Sequence, residues 1–203
     1  MDLKPIRRVV TGDDAQGVSS IVEDGPSPAV RLVPERPGYR VTNLWCTGAS
    51  PAPVHAPDRI AAHQGVAPPS GGTVLRIIDF PPEPQDPQAL ERMLTATFGA
   101  MYRDAQHAPK PGQHPGMHRT ATVDYAIVLE GELVAIMDKD ETVLRAGDVL
   151  IQRVTSNGVT TDTPALLPFI FATDPAIVSY DDGQGNAPIF DYPISQPNLG
   201  TMG

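Results

Sequence analysis

The chain of 203 residues has a single cysteine, Cys46, and it lacks any long apolar run and any run of lysine or arginine. One thiol excludes an intramolecular disulfide and the cysteine-rich zinc clusters. No segment approaches the roughly 20 apolar residues that span a bilayer, and the N-terminus has no apolar stretch of signal-peptide length. With a net charge of −9 and no basic run, the chain should repel nucleic acid. We therefore expect a soluble, cytoplasmic protein with neither a membrane nor a nucleic-acid partner.

Proline and glycine are abundant instead, with 23 and 18 residues. This balance favours short strands joined by many turns, and the chain is long enough for one core. Residues 48–72 form a long loop rich in proline, glycine and alanine that could line a pocket mouth. We interpret its two histidines, His55 and His63, as solvated because nothing beside them has ligand spacing.

One segment, residues 87–105, has the pattern of an amphipathic helix. Asp86 is placed to cap its N-terminus and Pro87 to be its first residue. Apolar residues recur at helical spacing, namely Leu90, Met93, Leu94, Phe98, Met101 and Tyr102. We expect this stripe to cover a barrel end or a partner subunit rather than to line a substrate pocket.

Polar residues alternate along residues 118–124 and predict a lined cavity. His118, Thr120, Thr122 and Asp124 fall on one side of an extended strand, because side chains alternate with a period of two. The same face continues into Ala126 and then Val128, so the strand passes from a polar mouth into a dry interior. That profile is typical of a small barrel that holds a ligand.

This stretch resembles the first signature motif of the cupin superfamily, and residues 147–158 resemble the second. In the first motif, two histidines at alternate positions precede a glutamate, six further residues and a glycine; here the positions hold His118, Thr120, Asp124 and Gly131. The second motif begins Gly-Asp and ends at a third histidine. Here the Gly-Asp pair is present and Asn157 stands at the end.

The resemblance implies an all-β fold, a cupin-type jelly-roll β-barrel with an N-terminal strand extension and one inserted α-helix. Within this one structural domain we expect N-terminal strands that form a dimerisation arm (residues 1–47) and an insertion of loop, strand and helix packed on the barrel (48–114). The motif-bearing core (115–175) and a C-terminal tail (176–203) follow. Similar cupins are commonly dimers, which implies a homodimer here. The alternative is that the helix and the long loop cover the apolar outer faces within one chain.

The resemblance also raises the question of a metal. A cupin usually holds Fe, Mn, Ni or Zn through three imidazoles and a carboxylate, whereas this chain has only His118 and Asp124 of that set. Hydroxyl and amide oxygens are poor ligands for these metals, so we expect no metal cofactor. If a divalent metal is nevertheless bound, His118 and Asp124 are its expected ligands, with His114 as a replacement; otherwise His114 is a solvated loop histidine.

Without a metal, the site can still transfer protons. We assign acid–base catalysis to His118 and Asp124, because burial and mutual attraction can separate their proton affinities. Stabilisation of developing negative charge is assigned to Arg153. Binding of the substrate is assigned to four further polar residues: Thr120, Thr122, Gln152 and Asn157.

The leading hypothesis is therefore a metal-independent lyase, dehydratase or isomerase acting on a small, partly apolar oxygenated compound. The first alternative is a metal-dependent cupin dioxygenase or related oxidoreductase. The second is a small-molecule-binding cupin without catalysis, and the polar cluster could also simply satisfy its own hydrogen bonds. Metal analysis separates the oxidoreductase from the others, and replacement of His118 by alanine separates an enzyme from a binder.

Overall fold

The computed structural model describes residues 3–105, 107–153, 157–161, 163 and 165–172. The predicted C-terminal tail, residues 176–203, lies outside these described residues. The strands are β1 (Arg7–Asp13), β2 (Ser19–Pro26), β3 (Ala29–Leu32), β4 (Arg40–Thr47), β5 (Thr73–Phe80), β6 (Val123–Ile127), β7 (Glu132–Met137), β8 (Glu141–Arg145), β9 (Val149–Arg153), β10 (Asn157–Thr160) and β11 (Ala165–Ala172). A short 3-10 helix, Ile60–Ala62, precedes β5, and helix α1, Pro87–Met101, follows it.

Two antiparallel sheets form the barrel. One has six strands in the order β3-β4-β5-β11-β6-β9, and the other has three in the order β10-β7-β8. The buried core takes residues from both, among them Val41 and Ile78 from the six-stranded sheet and Leu133 and Ala135 from the three-stranded sheet. The predicted all-β jelly-roll barrel is confirmed.

The chain changes sheet inside the stretch that the sequence singles out. His118 forms an isolated bridge with Asn157 at the edge of the three-stranded sheet. Five residues later, Val123 begins β6 in the six-stranded sheet. The inward and outward alternation is as predicted, since Asp124 and Ala126 are buried while Tyr125 is exposed. Of the polar face, His118 therefore pairs with the three-stranded sheet, whereas Asp124 shares strand β6 of the six-stranded sheet with Ala126.

The N-terminal hairpin, β1 and β2, forms a separate two-stranded ribbon. In its turn, the Asp14 carboxylate accepts from the backbone N–H groups of Gln16 and Val18, and Gly17 has a φ of 76°. Arg8 anchors the ribbon, because its buried guanidinium is bonded to Glu23 and to Asp58 of the long loop. A ribbon fixed in this way has a defined position on the barrel.

Helix α1 has the predicted N-terminus. The Asp86 carboxylate accepts from the backbone N–H of Gln88 and of Ala89, and Pro87 is the first helical residue. The helix ends at Met101 rather than at residue 105, because the Tyr102 backbone is no longer helical. Its apolar stripe joins the core through Phe98, Met101 and Tyr102, so α1 covers the barrel within the same chain. No described helix has both the length and the apolar character needed to cross a membrane.

The long loop differs from its prediction. Residues 63–67, here called the plug, enter the end of the barrel and bury Val66 in the core. The Asp104 carboxylate accepts from the backbone N–H of Val66 and of Ala67, and Arg76 donates to the carbonyls of the plug. His63 is half-buried against Arg76, so the expectation that it is solvated is wrong. Burial and, after it, the charge of Arg76 lower the pKa of His63.

Candidate acid–base site in the barrel

Asp124 is the acid of the described barrel whose pKa is raised by burial. Its side chain is buried on the inner face of β6, and its Oδ1 atom has no hydrogen-bond partner among the described residues. Burial raises the pKa of this carboxyl to about 6, and a hydrogen bond from Thr122 and the charge of Arg76 oppose the rise. A carboxyl with this pKa is mostly ionised at neutral pH and remains a usable proton acceptor.

Gln152 lies directly across from Asp124 on β9. It is also buried, and its Nε2 atom has no hydrogen-bond partner in the part of the chain that the structure describes. A cavity of about 330 Å³ borders Gln152, between β7, β8 and β9. Asp124 does not line this cavity, but it is paired with Gln152 across β6 and β9 and is buried beside it. A donor and an acceptor without protein partners therefore lie side by side next to an opening.

A second cavity, of about 840 Å³, is larger but contains none of the predicted site residues. It lies between the N-terminal segment and the end of β5 at Phe80, whereas Asp124 belongs to the opposite end of the sheet. Its buried arginine, Arg40, is already bonded to Asp79 and to the carbonyls of Leu3 and Lys4. We place the candidate site at the smaller cavity because the Asp124 carboxyl and the Gln152 amide lie beside it.

Arg76 is a site residue that sequence reasoning missed. Its side chain is fully buried on the inner face of β5, between Val74 and Ile78. It holds the plug by donating a hydrogen bond of 3.1 Å to the Val66 carbonyl, and its positive charge acts to lower the pKa of Asp124. Burial lowers the pKa of the guanidinium. No alternation in the residues signals this position, because the outward face of β5 also has apolar side chains, at Leu75 and Ile77.

The hydroxyl and amide residues of the motif are inside as predicted. Thr120 and Thr122 are buried, and their hydroxyl oxygens lie 2.8 Å apart in a mutual hydrogen bond. Asn157 is buried and pairs with His118 through two backbone bonds of 2.9 and 3.0 Å. The ends of the two sequence motifs are therefore neighbours in space.

His118 occupies a different part of the barrel from Asp124. Its half-buried imidazole lies 5.1 Å from the Phe98 ring, centroid to centroid, and its Nδ1 atom is 3.0 Å from the Gly116 carbonyl. Burial lowers the pKa of His118, and the charge of nearby His107 lowers it further, whereas the hydrogen bond to the Gly116 carbonyl acts to raise it. No hydrogen bond or ion pair joins His118 to Asp124 within the described residues. The structure does not bring the two predicted catalytic groups into contact.

Arg153 has an exposed side chain, because on β9 it alternates with Gln152, which takes the inner position. It does not face the buried carboxyl, but it lines the same cavity as Gln152, so its role in stabilising charge stays a prediction. The predicted surroundings of His114 need correction. His114 is neither solvated nor directed at the motif residues, since its Nε2 atom is bonded to the buried carboxylate of Glu83 at 3.0 Å. Glu83 and His107 were not predicted, because each lies in a segment without periodic pattern.

No protein-family model matches the chain. Phomopsin biosynthesis cluster protein C' of Diaporthe leptostromiformis is 27% identical over 165 residues, 77% of this chain and 70% of that protein. The cupin-domain-containing oxidoreductase srdD of Neurospora crassa is 26% identical over 160 residues, 76% of this chain and 66% of that protein. These similarities and the barrel fold support the cupin superfamily. Two further fungal cupin-domain-containing oxidoreductases, of Aspergillus ruber and Hypocrea virens, are 23% and 24% identical.

Two solved structures superpose only loosely on this chain. The cupin domain of Schizosaccharomyces pombe Cnp3 is 10% identical, with a TM-score of 0.41 over 84% of this chain and 89% of that one. A putative ethanolamine utilization protein from Salmonella typhimurium is 11% identical, with a TM-score of 0.39 over 84% of this chain and 98% of that one. Nothing about function follows from these superpositions.

The metal site that the cupin superfamily implies can be tested against the donors present. At the four motif positions this cupin has one imidazole, one carboxyl, one hydroxyl and one amide, at His118, Asp124, Thr120 and Asn157. No group of three or more histidine, cysteine, aspartate or glutamate side chains is placed to hold an ion in the described part of the chain. His114, the expected replacement, is bonded to Glu83. This donor set does not fit an iron, manganese, nickel or zinc centre.

Proposed function

We propose that this cupin is a metal-independent isomerase or lyase that transfers protons on a small, partly apolar oxygenated compound. Its similarity to cupin-domain proteins supports a cupin enzyme or binding protein. The finer assignment depends on one observation, the buried Asp124 carboxyl with a pKa near 6 and an oxygen without a protein partner, next to the Gln152 amide and a 330 Å³ cavity.

The proposed chemistry begins with Asp124 as the proton acceptor. At neutral pH its ionised carboxylate takes a proton from a carbon next to a carbonyl group of the compound. The Gln152 amide N–H donates to the carbonyl oxygen, where negative charge develops. In an isomerisation, Asp124 returns the same proton to a different carbon. In a dehydration, Asp124 gives that proton to the leaving hydroxyl oxygen, so that water departs and the carboxylate is regenerated.

His118 has a more limited role in this proposal than in the sequence hypothesis. Its imidazole is neutral at neutral pH and its proton is on Nδ1, because the Gly116 carbonyl can only accept. The Nε2 atom can then accept a hydrogen bond from a hydroxyl of the compound. His118 therefore orients the ligand, while Asp124 moves the proton.

The test is hydrogen exchange of small carbonyl compounds in D₂O, followed by proton NMR for the wild-type protein and the Asp124→Asn variant. Loss of a general base should slow exchange by about 100-fold or more. Asparagine has the same shape, so affinity should change only a few-fold. Asp138→Asn is the matched control, because Asp138 is exposed and its carboxylate accepts a hydrogen bond from the Gln113 amide, away from Asp124. Undiminished exchange in Asp124→Asn would refute the proposal.

A metal-dependent oxidoreductase is the second candidate, because three similar proteins are named cupin-domain-containing oxidoreductases. Elemental analysis of the purified protein decides between the two. About one transition-metal ion per chain, with activity lost on chelation, would favour the oxidoreductase. A ligand that binds equally well to wild type, His118→Ala and Asp124→Asn without turnover would instead indicate a binding cupin.

A further inference from the structure

A chain of hydrogen bonds connects a buried ion pair to His118. Arg36 and Glu83 are both buried, and a guanidinium nitrogen of Arg36 lies 3.4 Å from Glu83 Oε1. The second carboxylate oxygen of Glu83 is 3.0 Å from His114 Nε2. The guanidinium also lies 4.3 Å from the ring centroid of Tyr39, which fixes the ion pair against the core. A carboxylate held this firmly is a rigid acceptor.

Gly116 takes part in the next two bonds of the chain. Its backbone N–H donates to His114 Nδ1 at 3.1 Å, and its carbonyl lies 3.0 Å from His118 Nδ1. A backbone N–H must face a lone pair, so His114 carries its proton on Nε2, where Glu83 accepts it. A carbonyl can only accept, so His118 carries its proton on Nδ1. The tautomers of both imidazoles are therefore set by their partners.

Gly116 has little room for a side chain. A Cβ atom at position 116 would lie 3.1 Å from His114 Nδ1 and 3.5 Å from Leu94 Cδ1. A Cβ atom at Gly158 would lie 3.5 Å from the carbonyl carbon of Gly116. Gly116 therefore lies between the His114 ring, helix α1 and β10.

We propose that Glu83 and His114 are positioning residues that hold His118, through Gly116, in the tautomer with its proton on Nδ1. The Nε2 atom of His118 is thereby kept as an acceptor. The use of that acceptor on a ligand rests on the function proposed above, but the tautomer is a property of the free protein. A ligand hydroxyl is the group this atom would accept from.

The test is nitrogen-15 NMR of the histidine side chains, which reports the tautomer of His118 without any turnover. His114→Ala and His114→Gln remove the acceptor for the Gly116 N–H. The population of the Nε2–H tautomer of His118 should then rise about tenfold, the value of one ordinary hydrogen bond. His114→Asn keeps an acceptor at the Nδ1 position and should restore most of the wild-type ratio. Glu83→Ala should shift the ratio as His114→Ala does, and Glu83→Gln, which keeps an acceptor oxygen, should largely restore it.

Two exposed positions serve as controls, Glu91→Ala on helix α1 and His55→Ala in the long loop, and neither should change the His118 signals. Backbone amide spectra show whether each variant is folded. If His114→Ala does not fold, His114→Gln and Glu83→Ala each decide the question. The proposal is overturned if wild-type His118 has its proton on Nε2, or if folded His114→Ala, His114→Gln or Glu83→Ala leaves the ratio unchanged. Failure of the Asp124 exchange test would refute the enzymatic function and leave this result intact.

Discussion

At the residue scale, the burial of Asp124 has a consequence for stability as well as for chemistry. The folded protein binds the Asp124 proton more tightly than the unfolded chain, because the pKa is raised from 3.8 to about 6. Such a group contributes stability that is fully present below about pH 4 and is lost as the pH rises through about 6. A neutral amide at this position has no such dependence.

We therefore predict that wild type loses about 1 kcal/mol of unfolding free energy relative to Asp124→Asn between pH 5 and pH 7.5. The measurement is urea unfolding of both proteins at each pH. Because only the difference between the two proteins is used, other titrating groups cancel. The unfolding free energy of Asp138→Asn should change with pH as that of wild type does. A pH-independent difference between wild type and Asp124→Asn would show that the carboxyl is not perturbed.

Individual inward positions could be predicted from alternation, but their roles could not. The face shared by Thr120, Thr122 and Asp124 follows from a period of two. The choice between Gln152 and Arg153 does not, since only the pairing of β9 with β6 decides which of them is inside. Arg76 was missed because an arginine within an apolar strand reads as an outward residue, whereas here the plug carbonyls and Asp124 compensate its burial.

At the element scale, the plug owes its position to one exposed aspartate. Asp104 follows helix α1 and accepts from two consecutive plug amides, at 2.9 Å from Val66 and 2.8 Å from Ala67. Bonds to a charged acceptor are about twice as strong as neutral ones. The plug closes the end of the barrel that contains Arg76, so its stability controls access to that end.

We predict that Asp104→Ala accelerates amide hydrogen exchange of Val66 and Ala67 by about tenfold or more. Exchange of Ala126, on strand β6, should stay at the wild-type rate, because the barrel does not depend on this contact. Asp138→Ala is the matched control, since it removes an exposed carboxylate elsewhere. Unchanged protection of the plug would mean that Arg76 and the burial of Val66 are sufficient to hold it.

Elements with strong local signals were predictable and those defined by distant partners were not. Helix α1 has a capping aspartate, a first-turn proline and an apolar stripe, and all three are local. Strand β10 contains Asn157 and Gly158, both poor strand formers, and it exists because it pairs with β7. The plug likewise depends on Asp104 and Arg76, which are far from it in sequence.

At the scale of the whole molecule, the exposed apolar residues include two groups on the strands. The hairpin of β1 and β2 exposes Val18, Ile21 and Val22, and the outer face of β6 and β9 exposes Tyr125 and Ile151. Helix α1 and the plug lie over the barrel core, so neither covers these residues. We propose, as the sequence suggested, that a second copy of the chain does so in a homodimer.

Light scattering coupled to size-exclusion chromatography tests this proposal. Wild type should have about twice the chain mass of 21.6 kDa, and the double variant Ile21→Lys with Ile151→Lys should approach a monomer. Val54→Lys is the control, because Val54 is exposed in the long loop and belongs to neither surface. A monomeric wild type at micromolar concentration would refute the homodimer.

The change of sheet between His118 and Val123 places the two titratable groups on separate halves of the barrel. A compound large enough to reach both groups therefore contacts both halves at once and links them. Its occupancy would limit the breathing of one sheet against the other, even at strands that it never contacts.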